Sequence, residues 1–181
     1  PAKGRNIAIA EWPTDSTVGS RGYVDYALFV GMQLVATVEA KAIHKDIPSV
    51  IDYQCKDYSK NIRSADQVYQ INTWGSYGVP FTFATNGRPH LKQYDTKSGI
   101  WFLDLRQPDN APKALQGWMS PEGIMELLDK DISARNQDLR EMSYDLLRDK
   151  DGLGLYEYQL RAIKAAEEAI INGQRNALLA M

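Results

Sequence analysis

Glu39 and Lys41 stand two residues apart at the end of the apolar run Leu34 to Val38. On a β-strand, residues two apart leave the same face, so this carboxylate and ammonium project together, opposite Ala40 and Ala42. Ionised groups placed there are costly to desolvate and call for partners. Asp25 interrupts the preceding apolar strand, fourteen residues earlier. Two carboxylates brought face to face repel unless a cation sits between them, and Mg²⁺, with its preference for oxygen ligands and retained waters, fits that need. A metal so held can bind a scissile phosphate oxygen, lower the pKa of an attacking water and stabilise the developing charge. Lys41 could orient or help deprotonate that water. Glu11, on the first strand, is a possible additional metal ligand.

Whether Asp25 meets Glu39 depends on the Gly31-Met32-Gln33 connection. A two-residue Gly31-Met32 loop sets Asp25 across from Val38 and leaves Glu39 on the other face. A three-residue loop centred on Met32 sets Asp25 across from Glu39, with Cβ atoms about 5 Å apart. Only the second register builds a metal site.

The elements that must hold these residues read as a sheet followed by helices. Asn6 to Trp12, Tyr23 to Val30 and Gln33 to Ala42 are short, rich in β-formers and separated by Gly and Ser. From Ile47 to Ile62 the pattern becomes helical, with Pro48 suited to a first turn and Val50, Ile51 and Cys55 on an apolar side. Val79 to Thr85 is a further strand, and the Asn86-Gly87 turn predicts another at Pro89 to Tyr94, with Ile100 to Leu105 closing the sheet. Residues 106–117, rich in Pro, Asn and Gln, leave this unit. Ser120-Pro121-Glu122 starts a helix with Ile124, Leu127 and Leu128 on one face. Leu139, Met142 and Leu146 share a face of the next, and residues 149–154 form a linker. The last helix runs from Tyr156 to Asn172 with Leu160, Ile163, Ala166 and Ile170 inward and Gly173 as its cap, before Ala177 to Met181 opens a strand. The fold class expected is mixed α/β.

At 181 residues, 44% hydrophobic and 24% charged, the chain has ordinary globular composition. Its net charge of −2 offers no bulk attraction to a polyanion, so any affinity for nucleic acid must come from a local patch or from other domains. No apolar stretch approaches the roughly 18 residues that span a bilayer, and no secretion signal is present. Cys55 is the lone cysteine, and with only His44 and His90 beside it a zinc site lacks ligands. A reducing cytoplasm is the expected setting. Neither histidine nor Cys55 has partners at the spacing of a nucleophile triad. The chain opens on Pro1 without an initiator Met, so an upstream part is expected.

Val24-Asp25 followed by Glu39-Ala40-Lys41 resembles the PD-(D/E)xK nuclease pattern, with Val in place of the usual Pro. Gln54 to Tyr58 matches the QxxxY element of the RecB-like branch, and the i,i+4 spacing puts Gln54 and Tyr58 on one helix face. Ala8 to Pro13, Phe83 to Gly87 and the helix around Tyr158-Gln159 resemble the amino-terminal region of the R (restriction) subunit of type I restriction-modification enzymes. That resemblance covers about Ile7 to Met181. It implies a restriction-endonuclease-like mixed sheet flanked by helices over residues 1–105, a helical linker over 106–154, and over 155–181 the start of a RecA-like superfamily 2 translocase domain. No G-x-x-x-x-G-K-[ST] phosphate loop occurs in these residues, so ATP hydrolysis is not assigned to them.

The activity implied is that of a type I site-specific deoxyribonuclease, cutting double-stranded DNA with Mg²⁺ once ATP-driven translocation stalls, away from the recognition sequence. Modification and specificity subunits are the implied protein partners, and no membrane is involved. Asp25, Glu39, Lys41, Gln54 and Tyr58 would carry catalysis, with Gln54 and Tyr58 positioning DNA or the lysine. Gln159 would contact the adenine of ATP in the complete protein, and Lys92 could reach a phosphate of DNA or of a neighbouring motor. A docking module that keeps the fold but cuts weakly or not at all is one alternative. A stand-alone resolvase or repair nuclease is another, which the Gln159 motif opposes.

Overall fold

The computed structural model describes residues 1–17, 22–130, 132–172, 174 and 178. They divide into two compact units, residues 1–128 and 129–181.

The first unit is built on a six-stranded mixed sheet whose strands lie in sequence order: β1 (Asn6–Pro13), β2 (Tyr23–Val30), β3 (Gln33–Ala40), β4 (Phe81–Thr85), β5 (Ile100–Asp104) and β6 (Lys113–Ala114). All neighbours are antiparallel except β3 and β4, which run parallel. A parallel pair needs a crossover, and here a helical segment supplies it: α1 (Pro48–Val50), a π-helical turn (Ile51–Cys55) and α2 (Lys56–Lys60). Pro48 sits in the first turn, where its missing N–H costs nothing.

This segment covers one face of the sheet, through Ile47, Ile51 and Cys55 against Ala84, Trp101 and Leu103. Helix α3 (Pro121–Leu128) covers the other, where Ile124 meets Val35, Ala36, Val38, Phe81, Phe83 and Phe102. Ser120 caps α3, its Oγ accepting the Gly123 N–H at 3.1 Å. Covered on both sides, β3 is buried without a break from Leu34 to Glu39, which explains why its sequence is a continuous apolar run rather than an alternation. Phe81 and Phe83 are both fully buried, each worth about 1.5–3 kcal/mol by area.

The β2–β3 hairpin turns on two residues, since Val30 pairs with Gln33. Farther from the turn the register changes: Phe29 pairs with Leu34 but Leu28 pairs with Ala36, so Val35 is an extra residue, a β-bulge. Val35 and Ala36 both pack on the α3 side.

Several sequence expectations change. Pro89 to Tyr94 is not a strand: Pro89 has no donor for a ladder, and the Leu91 N–H goes to Ser98 Oγ at 2.9 Å, within an irregular connection that leads to β5. The short β6 lies inside the stretch read as loop, and a 3-10 helix, Ser64–Tyr69, precedes β4.

In the second unit α4 (Ile132–Glu141) and α5 (Asp145–Arg148) are separate helices, so Leu139, Met142 and Leu146 do not share one buried face, and Met142 and Leu146 are exposed. Helix α6 (Glu157–Ile171) buries Leu160 and Ala169, while Ile170 points outward at 60% exposure. The inward stripe thus passes through 169 rather than 170, the drift expected of a 3.6-residue period. Tyr144 bonds Glu167, and Lys164 lies 4.6 Å from the centre of the Tyr144 ring. The Gly173 cap and nearly all of the strand expected at Ala177 to Met181 lie outside the described residues. No helix among the described residues is long and apolar enough to cross a membrane.

Candidate active site

Both registers considered for the hairpin are replaced by a third arrangement. The turn has two residues, which alone would set Asp25 against Val38, but the Val35 bulge shifts the ladder by one. Tyr26 then pairs with Val38, and the next position along puts Asp25 opposite Glu39. Asp25 Oδ2 accepts the Ala40 N–H at 2.6 Å, which locks the end of the hairpin in that register. The two acids therefore share the face that carries Ala27, Thr37 and the crossover helix.

Glu39 is 4% exposed, whereas Lys41, just past the end of β3, keeps a quarter of its side chain in solvent. Lys41 Nζ forms an ion pair with Glu39 Oε1. Gln54 Nε2 donates to the same oxygen at 2.8 Å and to the Tyr58 hydroxyl at 2.7 Å. Gln54 lies in the π-helical turn, a widened geometry that recurs at functional sites. Tyr58, four residues on, is 1% exposed. Among the described residues none donates a hydrogen bond to Glu39 Oε2, which is buried.

The electrostatics follow from this packing. Burial pushes the Glu39 carboxyl above its ordinary value; the Lys41 hydrogen bond opposes that, and the negative charge of Asp25 adds to it. Burial also raises the Tyr58 phenol, against the opposing Gln54 hydrogen bond. The Cys55 thiol, buried behind the site, is pushed up to about 12, chiefly by desolvation, and is no nucleophile.

A buried carboxylate oxygen with no donor is costly, on the order of 1–3 kcal/mol for an unsatisfied group. Facing a second carboxylate, it is the arrangement a divalent cation relieves. Asp25 and Glu39 are the residues that could hold a divalent cation such as Mg²⁺. Among the described residues no group of three or more His, Cys, Asp or Glu side chains is placed to hold a metal, so Glu11 is not brought into the cluster. Glu11 occupies the β1 position opposite Asp25, between the pairs Ala10–Tyr26 and Trp12–Val24. It is exposed, in a left-handed conformation with φ of 51°, an uncommon state for a residue with a side chain.

The remaining candidates lie elsewhere. Lys92 is exposed on the β4–β5 connection. Gln159, in the second unit, accepts the Tyr156 N–H at 2.9 Å at the start of α6, where Tyr156 and Tyr158 stack with ring centres 5.9 Å apart.

Sequence reasoning missed the polar layer beneath the acids. Thr37 and Thr82 face each other across the parallel pair, Oγ1 to Oγ1 at 2.9 Å, and Ser59, whose Oγ donates to the Cys55 carbonyl at 3.0 Å, lies next to Thr37. Both threonines interrupt otherwise apolar strands, which was the available signal. Satisfied in this way, the buried hydroxyls join β3, β4 and the Gln54 helix into one support.

Comparison with known proteins adds the family. The family described as the second domain of the type I restriction enzyme EcoKI endonuclease subunit matches residues 1–128. The type I restriction enzyme EcoKI endonuclease subunit of Escherichia coli (strain K12) is 37% identical over 209 aligned residues, covering 100% of this chain and 17% of that protein's length. No solved structure matches the chain. With the paired acids, the lysine and the Gln54–Tyr58 helix held together on a mixed sheet, and with the match over most of the length, the chain belongs to the type I restriction enzyme endonuclease subunit family, in its second-domain region.

Proposed function

We propose that this chain is the DNA-cleaving part of a type I restriction enzyme, hydrolysing phosphodiester bonds of double-stranded DNA with Mg²⁺ after ATP-driven translocation, away from the recognition sequence. The observation that carries the reading is the opposition of Asp25 and Glu39, with Glu39 Oε2 buried and without a donor among the described residues while Oε1 is held by Lys41 and Gln54. Mg²⁺ bound by these two acids supplies Lewis-acid stabilisation of the phosphate and a more acidic attacking water.

The protein's own groups do the rest. Gln54 and Tyr58 fix the rotamer of Glu39, so that its free oxygen and Asp25 stay aligned. Lys41, partly in solvent and paired with Glu39 as an ammonium, orients the water and neutralises charge on the phosphorus oxygens. Glu11 is kept as an outer ligand that would need a side-chain or backbone rearrangement to join.

On this reading the nuclease expected over residues 1–105 also takes in β6 and α3, the rest of 106–154 serves as a helical connection, and 155–181 open the RecA-like translocase. Gln159 then meets the adenine of ATP in the complete protein, and Lys92 contacts phosphate. The complete enzyme works in the cytoplasm with modification and specificity subunits, to which sequence recognition falls, in keeping with a fragment of net charge −2.

The test is cleavage of supercoiled plasmid by the complete enzyme with Mg²⁺ and ATP, comparing wild type with Asp25→Ala, Glu39→Ala and Lys41→Ala. All three are expected to lose cleavage while ATP hydrolysis continues. Wild-type cleavage by all three would refute the site.

A further inference from the structure

Lys41 lies beyond the last residue of β3, and only residues 42–47 separate it from the crossover helix that brings in Gln54. The backbone of this connection closes on itself once, Lys45 N–H to the Ala42 carbonyl at 2.8 Å. Its start is held by the Lys41 N–H, which donates to the Thr85 carbonyl at 2.7 Å. Its middle is held by a side chain from another strand end. Asn86, directly after β4 and 5% exposed, donates from Nδ2 to the Lys45 carbonyl at 2.7 Å.

The other polar groups of Asn86 are used to fix Asn86 itself. Its N–H donates to the Gly99 carbonyl at 3.1 Å, and its Oδ1 accepts the Arg88 N–H at 3.2 Å. The two sides of this connection lie close together beside the anchor: a Cβ on Gly99 would lie 1.9 Å from the Arg88 carbonyl oxygen. Asp46 also reaches across, to Lys97 at 3.0 Å and Arg88 at 3.5 Å. Asp46 and Lys97 are more than half exposed, and such pairs contribute little. The buried amide is therefore the main polar tie to the middle of the turn that follows Lys41, whose far end is packed into the core through Ile47.

We propose that Asn86 is a positioning residue for the Glu39–Lys41 pair, its Nδ2–H to Lys45 bond fixing the turn that keeps the lysine on the carboxylate. This rests on Lys41 being the lysine of the active site. Asn86 touches neither substrate nor metal, so its loss changes how often the lysine is in place, not how tightly DNA is held. A displacement near 1 Å in such a group costs up to about 100-fold in rate.

The experiment uses the complete enzyme and single-turnover cleavage of plasmid DNA at saturating Mg²⁺ between pH 6 and 9, with Asn86→Ala, Asn86→Asp and, separately, Lys41→Ala. Both Asn86 variants are expected to cleave about 10- to 100-fold more slowly at pH 8 with DNA affinity unchanged. Asn86→Asp keeps the acceptor and the shape but loses the donor while ionised. Burial raises the pKa of such a carboxyl, and its protonated form can donate to Lys45 again. The ratio of Asn86→Asp to wild-type rate is therefore expected to climb as pH falls, which a purely steric role would not produce. Should Asn86→Ala fail to fold, Asn86→Asp carries the test through this ratio. Wild-type rates in both variants beside an inactive Lys41→Ala would overturn the proposal alone, as would a ratio flat with pH. Full activity in Lys41→Ala would overturn the active-site reading, and this proposal with it.

Discussion

Replacing Lys41 by methionine keeps an unbranched side chain one atom shorter and removes its charge, leaving Glu39 Oε1 with Gln54 as its remaining hydrogen-bond partner. Breaking a fully buried pair by removing one partner costs about 3–5 kcal/mol. Here Lys41 is 25% exposed and Glu39 retains the Gln54 bond, so the cost of the poorly satisfied carboxylate should be nearer 1–3 kcal/mol. That cost exists only while Glu39 is ionised. Its folded-state pKa is already raised above the ordinary 4.5 by burial, and losing the Lys41 hydrogen bond raises it further. For an acid with a raised folded pKa, the unfolded chain releases its proton first as pH increases. Between the ordinary and the raised value the folded state holds more protons, and stability falls with pH by up to about 1.4 kcal/mol per pH unit.

Lys41→Met is thus expected to destabilise by about 1–3 kcal/mol at pH 8 and by less at pH 5, because burial raises the Glu39 pKa and lower pH favours its neutral form. All four tryptophans, Trp12, Trp74, Trp101 and Trp118, lie in the first unit. Urea unfolding of the whole chain followed by tryptophan fluorescence therefore reports the unit that holds the site. Adding Glu39→Gln to Lys41→Met should abolish the difference between the two pH values. An equal loss at pH 5 and pH 8, or a pH-dependent loss that survives the removal of Glu39, would refute this reasoning.

Asp25→Asn keeps an acceptor for the Ala40 N–H, so its unfolding midpoint without metal should stay close to wild type while the stabilisation by added Mg²⁺ disappears, a comparison read from the same urea curves. Gln54→Leu removes the bonds to Glu39 and Tyr58 and should slow plasmid cleavage by about 10- to 100-fold, with little change in DNA affinity by gel shift. Because Glu39 must be ionised to hold the cation and burial raises its pKa, cleavage should fail on acidification at a higher pH than an ordinary carboxylate would dictate; a pH–rate profile in which cleavage persists down to the ordinary glutamate range would contradict this. Cys55, with its thiol pushed up to about 12 and fully enclosed, should resist alkylation at pH 8 in the native chain and react only on unfolding, as timed labelling by mass spectrometry will show.

Strand and helix types followed from local chemistry wherever one element meets one environment. The apolar runs of β2, β3 and β4, the Pro48 helix start and the Ser120 cap all form, although β3 ends at Ala40 and β4 starts at Phe81, each two residues inside the expected bounds. Local signals misled where a distant group took the backbone bonds. Pro89 to Tyr94 looks extended, but the Ser98 hydroxyl captures the Leu91 N–H. The stripe through Met142 and Leu146 looks continuous, yet the helix breaks and leaves both exposed. The clamp by Asn86 was visible only as a turn signal, because its partner at Lys45 comes from a different strand end.

Periodicity by itself predicted that Glu39 and Lys41 share a face and that Gln54 and Tyr58 share another; the pairs do meet, although β3 ends at Ala40 and Gln54 falls in the π-helical turn. What joins the two pairs is tertiary. The sum of turn length and bulge decides whether Asp25 faces Glu39, and a bulge depends on how β3 packs against both its neighbours, which no window of sequence contains. The parallel crossover then delivers Gln54 to the carboxylate and closes water off from its second oxygen. That burial makes two common acids into a candidate site for a divalent cation.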